Sequence, residues 1–305
     1  MSTQRIGFVG LGNMGGRMTR RLVGAGHPVL GFDPVPGRAA AAGATPASSL
    51  AEVAGGSDCI LLSLPDSAAV ESVVRGDRGL LAAGRSGQVV VDLSTAAPSS
   101  TIRLHGELAL RGIEYLDAGI SGGAAAAERG TLTIMVGGSA AALDSITWIF
   151  GPIAGKVVHM GGSGAGHTTK VLNNFLNAVS LAATAEVMLA AKQAGLDLAQ
   201  VLEVINASSG VNFATLNRFP HIIRGDYLEG GLTSALMTKD VVLYVDCARE
   251  LGVPSLAAAG PLAAFGLANS LGYRDQISNR VVDALGDVAG GIRLQDRNSG
   301  QAVTE

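Results

Sequence analysis

"RIGFVGLGNMGGRM", residues 5–18, decides how the first half of this chain is read. An apolar run of strand character ends in Gly10-x-Gly12-x-x-Gly15, and a helix-forming stretch follows at once. Three glycines at this spacing are a weak signal alone. Here they follow a strand, open a helix, and are answered by an acid at the end of the next strand, "PVLGFD" (28–33). That context belongs to a dinucleotide site. Gly10 permits the tight turn, Gly12 lets backbone approach a pyrophosphate, and Gly15 lets helix and strand pack closely. The helix start offers its N–H groups to the phosphates. Gly10, Leu11, Gly12, Asn13, Met14 and Gly15 are therefore cofactor-binding candidates.

Asp33 lies eighteen positions beyond Gly15. A carboxylate there accepts hydrogen bonds from ribose hydroxyls and repels a 2′-phosphate, so NAD is favoured over NADP. The plainer alternative is an Asp capping a turn before Pro34. Arg38 is the competing signal for NADP, but five residues on, in a helix, it is expected to be solvated. Ligands of such sheets sit at the carboxyl ends of strands, which adds Leu64, Pro65 and Thr95.

Working outward, six runs read as strands: "RIGFVG", "PVLGFD", "DCILLSL", "QVVVDLS", "IEYLDAG" and "TLTIMVGG". They are almost continuously apolar, as strands buried on both faces of a parallel sheet are. Helical stretches between them imply βαβ units, giving an α/β class with an N-terminal Rossmann doubly wound sheet. After "HMGGSGAG" the texture becomes all helical. Residues 167–194 read as one long helix, Asp197 as the N-cap of a second, and Pro261 as a bend in the last apolar helix. The expected organisation is a nucleotide-binding domain over 1–163, a helical substrate and dimerisation domain over 164–295, and a loose tail over 296–305.

The chain has 305 residues, 48% of them hydrophobic and 15% charged, with net charge −3. No basic run marks a nucleic-acid partner. Cys59 and Cys247 have no metal spacing and read as reduced core thiols. Neither a secretory leader nor an uninterrupted apolar run of ~18 residues is read, so a cytoplasmic location without a membrane span is expected.

"GAGHTTKVLNNFLNA", residues 164–178, carries the second signal. On a helix Lys170, Asn173/Asn174, Asn177, Ser180 and Thr184 share one face. Amides and hydroxyls on an otherwise apolar helix point to a cleft, because a solvent-facing stripe carries Lys, Glu and Arg. Lys170 lies near a helix start, where a cation is electrostatically misplaced. His167 reads as a helix-cap residue, with a pocket contact as the alternative.

With these segments in view, the chain resembles the β-hydroxyacid dehydrogenase family, which includes 3-hydroxyisobutyrate dehydrogenases and tartronate semialdehyde reductases. Four blocks match in order: "GFVGLGNMG", "DAGISGGAAAAERGTL" (117–132), "GAGHTTKVLNN" (164–174) and "LMTKD" (236–240). The resemblance implies Lys170 as general acid in reduction and general base in oxidation, with Asn174 orienting it and the substrate hydroxyl. A free lysine titrates near pH ~10.4, so the base role requires desolvation or a neighbouring positive charge. It further implies Ser121, Gly122 and Gly123 as the carboxylate-binding loop, and Lys239 near the cofactor with Asp240 organising that corner. The family usually carries Pro where Gly119 stands and Phe where Leu232 stands, departures that touch loop rigidity and pocket shape. The implied activity is hydride transfer between NAD(P) and a small β-hydroxy acid. Separately, the apolar, charge-poor helical half, as in "LAAAGPLAAFGLANSLG", gives a homodimer or homotetramer as the expectation. The alternatives are an imine reductase using NADPH, whose relatives usually lack the lysine, and a non-catalytic nucleotide-binding scaffold.

Overall fold

A computed structural model describes residues 4–295; the expected loose tail at 296–305 lies outside them. The chain divides between Val171 and Leu172 into two compact units.

In the first unit the described residues form eight strands: β1 (Ile6–Val9), β2 (Val29–Phe32), β3 (Thr45–Pro46), β4 (Cys59–Leu62), β5 (Val89–Asp92), β6 (Glu114–Ser121), β7 (Leu132–Gly137) and β8 (Ala154–Gly161). They make one sheet in the order β3-β2-β1-β4-β5-β6-β7-β8. The order reverses at β1, so the ends of β1 and β4 frame the crevice where ligands of such sheets bind. β1, β4 and β5 are buried along their whole length, which is why they read as unbroken apolar runs. One core layer holds Phe8, Met18, Leu22, Leu61 and Val91; the other holds Val9, Ile60, Leu62, Val90 and Tyr115.

Two features differ from the sequence reading. β6 and β7 pair antiparallel, where a parallel sheet was expected. β8 and the two-residue β3 were not anticipated at all. β8 mixes apolar residues with Gly, Lys and His, and none of its residues is fully buried, so it lacks the signature of an inner strand.

The second unit is helical. The long helix runs Ala165–Gln193, two residues ahead of the expected start, and the division between the units falls within it. Leu198–Asn206 follows, capped by Asp197, whose carboxylate accepts from Ala199 N and Gln200 N at 2.8 and 3.0 Å. Ser234–Glu250, Ala259–Ala268 and Val281–Val288 complete the main helices, and Phe175, Leu181, Met188, Phe219, Met237, Val241 and Phe265 form their core. Pro261 does not bend its helix. It sits in the first turn, where its missing N–H costs nothing, and the break comes at Gly272, whose φ of 92° no helix accommodates.

Among the described residues one helix, Ala165–Gln193, is long and apolar enough to cross a membrane, which the sequence reading had not counted. Since 56% of its most apolar window is buried inside the protein, it behaves as a core helix.

Candidate active site

The glycine turn joins β1 to the helix Asn13–Gly24. Gly10 has φ of 87°, and a Cβ there would lie 2.3 Å from Ser63 O. A Cβ at Gly15 would lie 1.9 Å from Gly10 O, so helix and turn touch backbone to backbone. At Gly12 a Cβ would meet nothing nearer than Arg38 Nη1 at 3.9 Å. The helix that follows has no capping side chain and no acid in its first turn. A turn open at its middle glycine, facing an uncapped helix start, fits a dinucleotide pyrophosphate.

Asp33 is more heavily used than its sequence position revealed. Its Oδ2 accepts from Leu11 N at 2.7 Å and its Oδ1 from Val35 N at 2.9 Å, so it braces the glycine turn and caps its own turn together. Arg38 is exposed, as expected, and its guanidinium also reaches back within 3.2 Å of Asp33 Oδ1, because the helix Arg38–Ala41 begins close to the carboxylate. At the neighbouring strand ends, Leu64 N donates to Ser94 Oγ at 2.9 Å, tying the loop after β4 to the loop after β5. Pro65 is exposed and Thr95 half-buried on these two loops. Leu11 is buried, while Met14 packs against the core and Asn13 is exposed.

The second part of the unit is built on β6. Gly119 lies within this strand, not in a loop, and Lys170 packs directly on it: a Cβ at Gly119 would stand 2.5 Å from Lys170 Cβ. Gly166 presses equally close, its missing Cβ falling 2.3 Å from Met135 O and 2.5 Å from Asp117 O. These contacts seat the first turn of the long helix on β6 and β7 and leave Lys170 only 9% exposed.

Asp117 locks that seat. Fully buried, it accepts from Gly164 N at 2.8 Å and from His167 N at 2.7 Å, neutralising orphan donors at the helix start. His167 is thus the capped residue, not the cap. Its ring meets Thr101 Oγ1 at 2.7 Å and Asp92 O at 3.2 Å. Asp92, Asp117's register neighbour on β5, accepts from Tyr115 Oη at 2.8 Å and Ser94 N at 3.0 Å. Burial, with Asp92 beside it, holds the Tyr115 hydroxyl well above its usual pKa and so keeps it a donor. Sequence reasoning missed this network. The only local signal was an acid inside an apolar strand, which has no business there unpartnered.

Past Ser121 at the end of β6, Gly122 and Gly123 both have positive φ, 124° and 66°. The loop is a defined turn rather than a loose tether. Gly123 has open space where a side chain would be, leaving its backbone uncovered.

Within the helical unit, Asn174 Nδ2 donates to Asp240 Oδ2 at 2.6 Å, and Lys239 Nζ lies 3.1 Å from Asp240 Oδ1. One buried carboxylate therefore holds both residues. Further along the polar stripe, Asn177 accepts from Arg218 and Thr184 meets Asn212. That end of the stripe is tied to polar partners, and Asn173 is exposed.

Residues 5–162 match the profile described as the NAD binding domain of 6-phosphogluconate dehydrogenase, and residues 164–284 that described as NAD-binding of NADP-dependent 3-hydroxyisobutyrate dehydrogenase. The chain belongs to the β-hydroxyacid dehydrogenase family, oxidoreductases that move hydride between NAD(P) and small hydroxy acids. It is 37% identical to the 2-(hydroxymethyl)glutarate dehydrogenase of Eubacterium barkeri over 89% of this chain and 92% of that protein. It is 36% identical to the NAD-dependent L-serine dehydrogenase of Pseudomonas aeruginosa over 90% and 95%. The solved structure of Mycobacterium tuberculosis 3-hydroxyisobutyrate dehydrogenase with L-serine superposes with a TM-score of 0.86 at 31% identity, covering 93% of this chain and 99% of that one.

Proposed function

We propose that this chain oxidises a small β-hydroxy acid of the 3-hydroxyisobutyrate kind at its alcohol carbon, with Lys170 as the proton-transfer group. The observation that carries this reading is the seating of Lys170, a lysine only 9% exposed whose stem lies on Gly119 at the first turns of a helix fixed by Asp117. Bound NAD supplies the hydride acceptor. Gly10, Leu11, Gly12, Asn13, Met14 and Gly15 cradle its pyrophosphate, Asp33 takes the ribose hydroxyls, and Leu64, Pro65, Thr95 and Lys239 complete its binding set.

The alcohol gives up a hydride from carbon and a proton from oxygen. Lys170 receives that proton in oxidation and returns it in reduction. Asn174, one helical turn on and held by Asp240, orients the hydroxyl. Ser121 with the amides of Gly122 and Gly123 binds the substrate carboxylate, as uncovered backbone donors readily do. In this reading residues 1–163 form the nucleotide domain and 164–295 the substrate and dimerisation domain. Lys170 also argues against an imine reductase, since that group usually lacks a lysine at this position.

The test is absorbance at 340 nm with NAD and a panel of short hydroxy acids. NADH formation from a β-hydroxy acid supports the proposal, and none from any member refutes it. Replacing Asp33 with Ala should weaken NAD binding by roughly 10- to 100-fold, since charge-assisted hydrogen bonds to two hydroxyls are lost. Titration of NADH fluorescence measures it; unchanged affinity removes Asp33 from the ribose site.

We also propose a cytoplasmic homodimer or homotetramer. Support comes from apolar side chains exposed on the helical unit, among them Leu176, Val204 and Leu256. Sedimentation giving a monomer at micromolar concentration would contradict it.

A further inference from the structure

Arg218 stands between the short helices Phe213–Asn217 and Phe219–Ile222. Its Nη1 donates to Asn279 Oδ1 at 2.8 Å and its Nη2 to Asn177 Oδ1 at 2.9 Å, with the Phe213 ring centroid 5.7 Å from its guanidinium carbon. Asn279 is buried and held by its own Nδ2, which donates to Tyr227 O at 2.8 Å, so its oxygen is fixed toward the guanidinium. Both acceptors are neutral amides. Among the described residues no carboxylate pairs with Arg218, and two of the five N–H donors of a guanidinium are satisfied.

The neighbouring arginines differ. Arg280 pairs with Glu229 and Asp283, and Arg293 with Asp287. Arg218 is half-buried, and burial pulls its pKa down to about 10, as expected of a cation partly withdrawn from water without a counter-charge. Such a group is expensive to keep, and it becomes favourable when an anion completes it.

Asn177, which holds the guanidinium, lies seven residues beyond Lys170 on one helix. At 3.6 residues and 5.4 Å per turn, the two positions fall on the same face about 10 Å apart. Resting on the function proposed above, we propose that Arg218 recognises a second acidic group of the substrate, making the preferred substrate a dicarboxylic β-hydroxy acid. The reacting end of that substrate is unchanged. Specificity comes from a distal carboxylate that supplies the charge Arg218 lacks.

A matched pair tests it. 2-(Hydroxymethyl)glutarate and 3-hydroxyisobutyrate share the same hydroxymethyl and carboxylate groups, and the first carries a carboxyethyl arm where the second has a methyl. The wild-type chain should favour the diacid in kcat/KM by at least ~10-fold, and Arg218→Met should lower that ratio by roughly 10- to 100-fold, mainly through KM. Arg218→Lys, which keeps the charge without the fork, should fall between. A wild-type preference for the monoacid, or a ratio indifferent to Arg218, overturns the proposal.

A measurement on the wild type needs no variant: glutarate should inhibit at least ~10-fold more tightly than butyrate. Equal inhibition overturns the proposal. So does inorganic phosphate that raises the Tm of the wild type but not of Arg218→Met without any diacid preference, for the site would then serve a free anion. Turnover of neither compound by the wild type counts against the catalytic reading, while calorimetric binding of glutarate to the wild type and to Arg218→Met still decides the role of Arg218.

Discussion

Lys170→Ala should lower kcat for hydroxy-acid oxidation by about 10²–10⁴-fold, the range a positioned acid–base group contributes, while NADH affinity changes little. The split follows from where the residue sits. Lys170 belongs to the long helix and packs on β6, whereas the glycine turn and Asp33 belong to β1, β2 and the loops after them. Truncation removes the amine and most of the stem, but the first turn stays anchored by Gly166 on Met135 O and by Asp117 on Gly164 N and His167 N. Steady-state kinetics with an NADH titration reads both quantities. Unimpaired turnover would take the lysine out of the mechanism, and lost NADH binding would show that it had a structural role instead. Addition of ethylamine to Lys170→Ala should restore part of the rate, as replacing a missing proton carrier does.

Asp117→Ala should destabilise the first unit by roughly 3–5 kcal/mol, because two buried backbone donors lose their acceptor at once. For a unit of this size that lowers Tm by about 10 °C. Asp117→Asn keeps one acceptor oxygen and should lose about half as much. Asp117 is a positioning residue: it touches the helix that bears Lys170. Below the melting transition Asp117→Asn should therefore lower kcat several-fold with KM for NAD unchanged. Equal loss in both parameters, or no loss in kcat at a lowered Tm, would reduce it to a purely structural residue. Differential scanning calorimetry and steady-state kinetics on the same sample distinguish these outcomes.

Local chemistry was legible in the sequence and pairwise geometry was not. The glycine turn, the acid after β2, the long helix and the Asp197 cap all depend on neighbours within about one βαβ unit, where residue order is itself the signal. The pairing direction of β6 and β7 was misread because both runs are apolar. The clue lay in the connection: ten residues separate Ser121 from Leu132, short of the dozen or more that a parallel crossover requires. Asp117 was invisible for a different reason. Its partners stand 47 and 50 residues away, and no spacing rule connects a strand acid to a helix start at that distance. Arg218 was not singled out in the sequence, since a missing carboxylate partner can be seen only in three dimensions.

Gly119 shows how a departure from the family pattern acquires meaning. In sequence it looked like a matter of loop rigidity. In the fold it lies inside β6 beneath Lys170, with no room for a Cβ. The residue governs how near the lysine stem approaches the sheet, which is a question of position and not of flexibility.

The central claim is direct hydride transfer from the carbinol carbon of a β-hydroxy acid, and isotope tracing tests it most directly. Incubating the chain with NAD and 3-hydroxyisobutyrate, or the matched diacid, deuterated at the hydroxymethyl carbon should give NADH bearing deuterium at nicotinamide C4. NADH carrying only protium, or product formed without any NADH, would contradict the account.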